Sequence, residues 1–194
     1  MAKLKIVTPK LATLTAVGGD YAYEMEALEG LDAEIVEVPA DNLDKASGED
    51  VFIAAAKDAD AVYSRGMKLT KRIIDGLDRC KVISIGSVGV DTIDVAAATA
   101  RGIPVTNCPD TFIEEVADHA MMLLLSTFRD VIRQDKLVRE GRWREGRPTL
   151  LKNPRLAGQT LGLIAFGHVA RAVARRAQPF GLRVIAYDPY IEEI

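Results

Sequence analysis

Cysteine and histidine are nearly absent from this chain, with two of each in 194 residues, and no Cys or His pair stands at metal-ligand spacing. Cys80 and Cys108 are isolated, which fits a reducing compartment and argues against zinc, so no metal is assigned. An excess of basic residues is also lacking. Twenty-five Lys and Arg stand against 28 Asp and Glu, for a net charge of −3. Such a surface offers no general attraction to phosphate backbones or anionic lipid, so neither a nucleic acid nor a membrane is expected as partner. The opening MAKLKIVTPK enters a strand without an apolar leader, and no later apolar run is long enough to span a bilayer. The expectation is a cytoplasmic protein that handles a small molecule. Internal repeats and low-complexity tracts are missing as well. What is present is a hydrophobic content of 48% and a mean hydropathy of +0.07, enough for a sizeable core.

Short β-branched runs bounded by Gly, Pro or Asp predict strands at Lys3 to Thr8, Glu34 to Val38, Ala61 to Ser64, Val82 to Ile85 and Val105 to Asn107. Helical segments fall between them, around Tyr21 to Leu28, Asp50 to Lys57, Thr70 to Leu77 and Ile93 to Ala100. Strand alternating with helix implies parallel pairing through crossovers, hence a doubly wound α/β domain over residues 1–101, with Gly102-Ile103-Pro104 marking its exit. Residues 102–194 are assigned to a second unit. It opens with a long helix in which Ile113, Val116, Ala117, Ala120, Leu124, Phe128, Val131 and Ile132 recur at three- and four-residue spacing. Thr111 and Glu114 predict a capping box at its start, and Gly141 a left-handed cap at its end. Gly141 to Arg155, rich in Arg, Gly and Pro, reads as a loop or arm.

The stretch from Leu161 to Asp188 is the most informative. An apolar strand over Thr160 to Ala165 runs into the turn Phe166-Gly167-His168, then a helix over Val169 to Phe180, then a strand over Arg183 to Tyr187 ending at Asp188. A diphosphate is held by free N–H groups and the positive dipole end of a helix, provided no side chain blocks its approach, and Gly167 leaves that opening beside His168 and Val169. The glycine fingerprint is altered to A-x-G-x-x-A by Ala165 and Ala170. The acid supports it, because Asp188 stands at the end of the second strand, where a carboxylate accepts hydrogen bonds from the adenosine ribose and repels a 2′-phosphate. NAD is therefore favoured over NADP. The bland alternative makes Gly167 a plain strand-to-helix turn and Asp188 a surface acid. His168 either donates to the phosphates or is a solvated loop histidine.

Three blocks carry a family resemblance: ISIGSVGVDTIDVAAATARGIPVTNCP from Ile83 to Pro109, EEVADHAMMLLL from Glu114 to Leu125, and TLGLIAFGHVARAVARRAQPFGLRVIAYDPY from Thr160 to Tyr190. Together they resemble the NAD-dependent D-2-hydroxyacid dehydrogenases, a group that includes phosphoglycerate, glycerate and D-lactate dehydrogenases and the related C-terminal binding protein corepressors. The resemblance implies a flavodoxin-like substrate domain followed by a Rossmann NAD-binding domain, and a homodimer built through the latter. It places Val88 and Gly89 where backbone N–H groups meet the substrate carboxylate, with Val88 also near the nicotinamide, and Val116 on the nicotinamide face. Phe112 falls where many relatives carry Ser or Thr beside the cofactor. Arg65, at the end of a strand, is either a cation for an anionic 2-hydroxy or 2-keto acid or a surface cation. His119 belongs to the family's helix motif and is not its catalytic histidine. Arg171, Arg175 and Arg176 read as a solvated helix face.

Oxidising a 2-hydroxy acid needs a cofactor for the hydride, a base for the hydroxyl proton and a cation for the carboxylate. The family places its catalytic Arg, Glu and His in the second half of the Rossmann domain, and none has a counterpart in this chain. The expectation is therefore the first part of a longer oxidoreductase, incomplete in its NAD-binding domain and inactive alone. A non-catalytic, NAD-responsive binding protein related to the corepressors is the alternative. A receiver-like signalling domain is disfavoured, because Thr8-Pro9 ends the first strand with no acidic pair following.

Overall fold

The computed structural model describes residues 3–10 and 21–191, and the chain divides into two compact units, Met1–Pro109 and Asp110–Ile194. The division lies beyond the boundary expected after residue 101, because the strand that follows Pro104 pairs back into the first sheet. Unit 1 holds strands β1 (Leu4–Lys10), β2 (Ala33–Pro39), β3 (Ala61–Ser64), β4 (Val82–Ile85) and β5 (Val105–Thr106). Its helices are α1 (Ala22–Ala27), α2 (Ala46–Ala56), α3 (Lys71–Asp75) and α4 (Val95–Ala100). All strand pairs are parallel, in the order β2-β1-β3-β4-β5. That is a flavodoxin-like doubly wound order, the one the family resemblance implies.

Local chemistry explains several element ends. The Thr70 hydroxyl accepts from Ile73 N–H at 3.4 Å and opens α3, and the Asp94 carboxylate accepts from Ala97 N–H at 2.9 Å and opens α4. At the far end of α4, Gly102 takes φ +69°, while its own N–H reaches Thr99 and that of Ile103 reaches Ala98. This is a Schellman close, which turns the chain into β5. Helix α2 begins four residues before the expected Asp50. The extra turn is closely packed, since a Cβ at Gly48 would run into the Asn42 carbonyl. The core of unit 1 is fully enclosed. Val7, Val62 and Ile83 from the sheet meet Phe52, Leu69, Ile73, Ile74 and Leu77, all buried.

Unit 2 contains α5 (Ile113–Phe128), α6 (Val131–Arg139), α7 (Trp143–Lys152), β6 (Thr160–Ile164), α8 (His168–Ala177), a short 3-10 turn (Gln178–Phe180) and β7 (Arg183–Tyr187). Strands β6 and β7 pair in parallel through α8, a βαβ unit. Ala117 and Met121 of α5 pack against Ala172, Val173 and Ala177 of α8, with Leu161, Leu163 and Val184 of the strands beneath.

Three expectations for this unit need correction. The long helix is two helices, because Asp130 adopts φ +51° and the freed Phe128 carbonyl accepts from Asn153 Nδ2 at 3.1 Å. The capping box does not form: Phe112 is the N-cap, without a side-chain cap bond, and the Glu114 carboxylate turns to Arg175 and Arg176. The expected loop over Gly141 to Arg155 contains α7, despite Pro148 inside it. Its Gly146 lies so close to Gln134 of α6 that a Cβ there would collide. Gly141 does close α6, at φ +71°, in a second Schellman arrangement with Arg142 N–H on Leu137. Among the described residues no helix is long and apolar enough to cross a membrane.

Candidate functional site

The carboxyl ends of β3 and β4 lie side by side, with Ser64 opposite Ile85, so the loops that follow them are neighbours. Gly86 N–H donates to the Ser64 carbonyl at 3.2 Å and ties the two loops together. In the second loop three successive carbonyls are engaged: Ser87 accepts from Cys108 N–H at 3.0 Å, Val88 from Asn107 Nδ2 at 2.7 Å, and Gly89 from Ser87 Oγ at 2.9 Å. The N–H groups of Val88 and Gly89 donate to nothing among the described residues, and Val88 is 46% exposed. A loop held through its carbonyls, with unengaged N–H groups, has donors of the kind a carboxylate needs. A Cβ at Gly89 would stand 2.6 Å from Asp91 Oδ1, a side-chain oxygen.

Arg65, half-buried after β3, lies 5.4 Å above the Tyr21 ring and donates to the Tyr21 hydroxyl at 3.5 Å; that hydroxyl in turn donates to Glu37 at 2.7 Å. Burial, followed by the bond to Glu37, raises the Tyr21 pKa. Arg65 thus has a partner, and with Tyr63, Gly66, Gly86 and Ser87 it lines a cavity of about 250 Å³. The Tyr63 hydroxyl lies beneath Gly86, where a Cβ would approach it to 2.8 Å. Burial, and then the charge of Glu24, raises the Tyr63 pKa above its usual value. Tyr21, Tyr63 and Asn107 escaped the sequence reading. Asn107, ending a strand just before Cys108-Pro109, was the one with a local signal.

In unit 2, Ala165 leaves β6 at φ +72°, the left-handed conformation that a glycine would take without strain. Gly167 follows as the extended N-cap of α8, and a Cβ built on it meets nothing within 4 Å. The first turn of α8 has no side-chain cap, which leaves the N–H groups of His168 and Val169 available at the positive end of a ten-residue helix. The Val169 side chain itself packs into the unit 2 core. The residues therefore fit a dinucleotide diphosphate: free donors, a dipole and open approach.

Asp188 is more committed than its sequence position implies. Oδ2 accepts from Phe166 N–H at 2.7 Å and Oδ1 from Tyr190 N–H at 2.9 Å. These two N–H bonds, Phe166 first, hold its carboxyl below the usual carboxylate range. Each oxygen keeps a further lone pair, so ribose hydroxyls can still donate to it. His168 has a partner that neither sequence reading included, Asp110 Oδ1 at 2.7 Å from Nδ1. Val116 is 48% exposed on α5, and Phe112 and His119 are exposed as well. The basic strip on α8 is not simply solvated. Arg175 reaches Glu114 at 3.2 Å, and Arg176 bridges Glu114 and Asp118, clamping α8 to α5.

Residues 19–186 match the model of the D-isomer specific 2-hydroxyacid dehydrogenase catalytic domain. The chain belongs to that family. It is 38% identical over 142 residues to a glyoxylate reductase of Pyrococcus furiosus, a match covering 71% of this chain and 42% of that protein. The TT0316 protein of Thermus thermophilus shares the structure at a TM-score of 0.75 and 28% identity, over 98% of this chain and 58% of that one. The D-lactate dehydrogenase of Aquifex aeolicus, solved with NAD and lactic acid, has the same fold at a TM-score of 0.76 and 24% identity, over 97% of this chain and 52% of that one. The chain thus spans about half the length of these proteins.

Proposed function

We propose that this chain supplies the substrate-carboxylate loop and the dinucleotide turn of an NAD-dependent oxidoreductase acting on a small 2-hydroxy or 2-keto acid. The observation that carries the reading is the Phe166-Gly167-His168 turn, with an unobstructed glycine at a helix N-terminus and Asp188 bonded to its backbone. Bound there, NAD supplies the hydride acceptor, and NADH the donor. The residues of this chain do the holding. The N–H groups of His168 and Val169 take the diphosphate, and Asp188 takes the adenosine ribose. Val116 offers an apolar face to the nicotinamide. The N–H groups of Val88 and Gly89 take the acid's carboxylate, and Arg65 adds positive charge.

The base and the arginine that complete the chemistry in the family have no counterpart among these 194 residues, so the polypeptide alone is proposed to bind without turnover. Glyoxylate and hydroxypyruvate are the substrates to try first, given the relatives' names. A homodimer through unit 2 and a cytoplasmic location belong to the same reading.

Calorimetric titration of the 194-residue protein with NADH is the test, run beside Gly167→Val, which puts a branched side chain into the open approach. Saturable binding by the first, weakened at least about tenfold in the second with the circular dichroism spectrum unchanged, supports the reading. Absence of NADH binding, or equal binding by both proteins, overturns it. Reduction of glyoxylate by the pure polypeptide would refute the inactivity.

A further inference from the structure

This inference rests on the dinucleotide reading and concerns the adenosine end of the ligand. A bare carboxylate at the end of β7 rejects a 2′-phosphate by charge repulsion. Asp188 is not bare. Its two oxygens already accept from Phe166 and Tyr190 N–H groups, and a cation stands close by. That cation is Arg171, one turn into α8, whose side chain folds back toward the helix start as helical side chains do. Its Nε donates to the Phe166 carbonyl at 2.9 Å, and its guanidinium carbon lies 5.5 Å above the Phe166 ring.

Phe166 therefore carries a carboxylate on its amide and a guanidinium on its carbonyl, which fixes the two charges on either side of one residue. Arg171 is exposed, and its Nη1 and Nη2 make no hydrogen bond among the described residues. The other two arginines of α8 are engaged, Arg175 by Glu114 and Arg176 by Glu114 and Asp118. A guanidinium anchored through Nε with its outer fork free is a bidentate receptor for a phosphate, which a lysine could not reproduce.

We propose that Arg171 receives the 2′-phosphate of NADP(H), so that the site accepts both dinucleotides rather than NAD(H) alone. Asp188 accepts hydrogen bonds from the ribose hydroxyls of NAD(H). When a 2′-phosphate is present, Arg171 offsets its repulsion with Asp188. Arg171 is thus the specificity-determining residue of the adenosine end.

The test is calorimetric titration of the 194-residue protein and its Arg171→Gln variant with NADH and with NADPH. The wild type is expected to bind NADPH within about tenfold of NADH, and the variant to lose about ten- to a hundredfold for NADPH while NADH changes less than about threefold. Equal losses for the two ligands would make Arg171 a positioning residue of the turn and overturn the proposal. So would wild-type binding of NADH with NADPH more than about a hundredfold weaker. Failure of the wild type to bind either ligand would instead sink the dinucleotide reading itself, and this inference with it.

Discussion

The two sheets of this chain are built from the same parallel βαβ grammar and differ in how deeply they are buried. In unit 1, alternate residues of β3 and β4 are buried, and Val62, Ile83 and Ile85 are almost wholly enclosed by helices. In unit 2, no residue of β6 or β7 is buried: Leu161, Leu163 and Val184 lean on α8 and α5, while Ile164 is 92% exposed on the other face. Strand sequence is similar in the two places, so the difference comes from neighbours. A strand is enclosed by pairing on both edges and cover on both faces, not by its own hydrophobicity. Unit 2 accordingly relies on its helices, with small residues packed between α5 and α8 and the arginine bridges above them.

Phe52→Ala tests this contrast most severely. It empties a fully enclosed position and is expected to destabilise unit 1 by about 3–5 kcal/mol, whereas Ile164→Ala in β6 should change stability by less than about 0.5 kcal/mol. Urea unfolding of the two variants decides it, and equal losses would erase the distinction between the sheets.

The next effect concerns a buried acid of unit 1. Asp60, 5% exposed, accepts from Lys5 N–H at 3.1 Å and from Arg79 at 2.9 Å, and the Lys5 bond first, then Arg79, lowers its pKa. A carboxyl whose folded value lies below its unfolded one stabilises fully above the unfolded value and loses that contribution as pH falls through the folded one. Asp60→Asn should therefore lose about 1–3 kcal/mol at neutral pH and show a flatter decline below about pH 4. An acid limb as steep as the wild type's would show that other carboxylates govern it.

The smallest effect runs the other way. Ala165→Gly relieves a left-handed alanine and should stabilise unit 2 by roughly 0.5–1 kcal/mol, after allowing for the greater freedom of glycine in the unfolded chain. Thermal unfolding would show whether the strain is real; a lower midpoint would mean that the alanine methyl contributes packing that outweighs it.

Much of the fold was legible in both units where the signals are local. β3, β4 and β7 fall on the residues their β-branched runs predict, and the Gly102 and Gly141 closes follow from a glycine behind a helix. The errors arose where distant residues decide. The Asp130 break is invisible in the apolar spacing, since Phe128, Val131 and Ile132 stay in phase across it and the freed carbonyl is satisfied by Asn153, far along the chain. α7 carries Gly146 and Pro148, both poor helix residues, and meets α6 where Gln134 Nε2 donates to the Gly146 carbonyl at 3.4 Å. The site divides in the same way. As candidates, Gly167 and Asp188 follow from position along the strand and turn, but the bonds of Asp110 with His168 and of Phe166 with Asp188 are contacts between segments.

The bond from Phe166 N–H to Asp188 joins the turn before α8 to the end of β7. Two contacts that the proposed reading assigns to opposite ends of an adenosine diphosphate are thereby immobilised when the chain folds, before any ligand arrives. The entropy of ordering them is charged to folding, and association then proceeds onto a surface already in place. A single amide proton in this way links how tightly the site can bind to how well the second strand is docked.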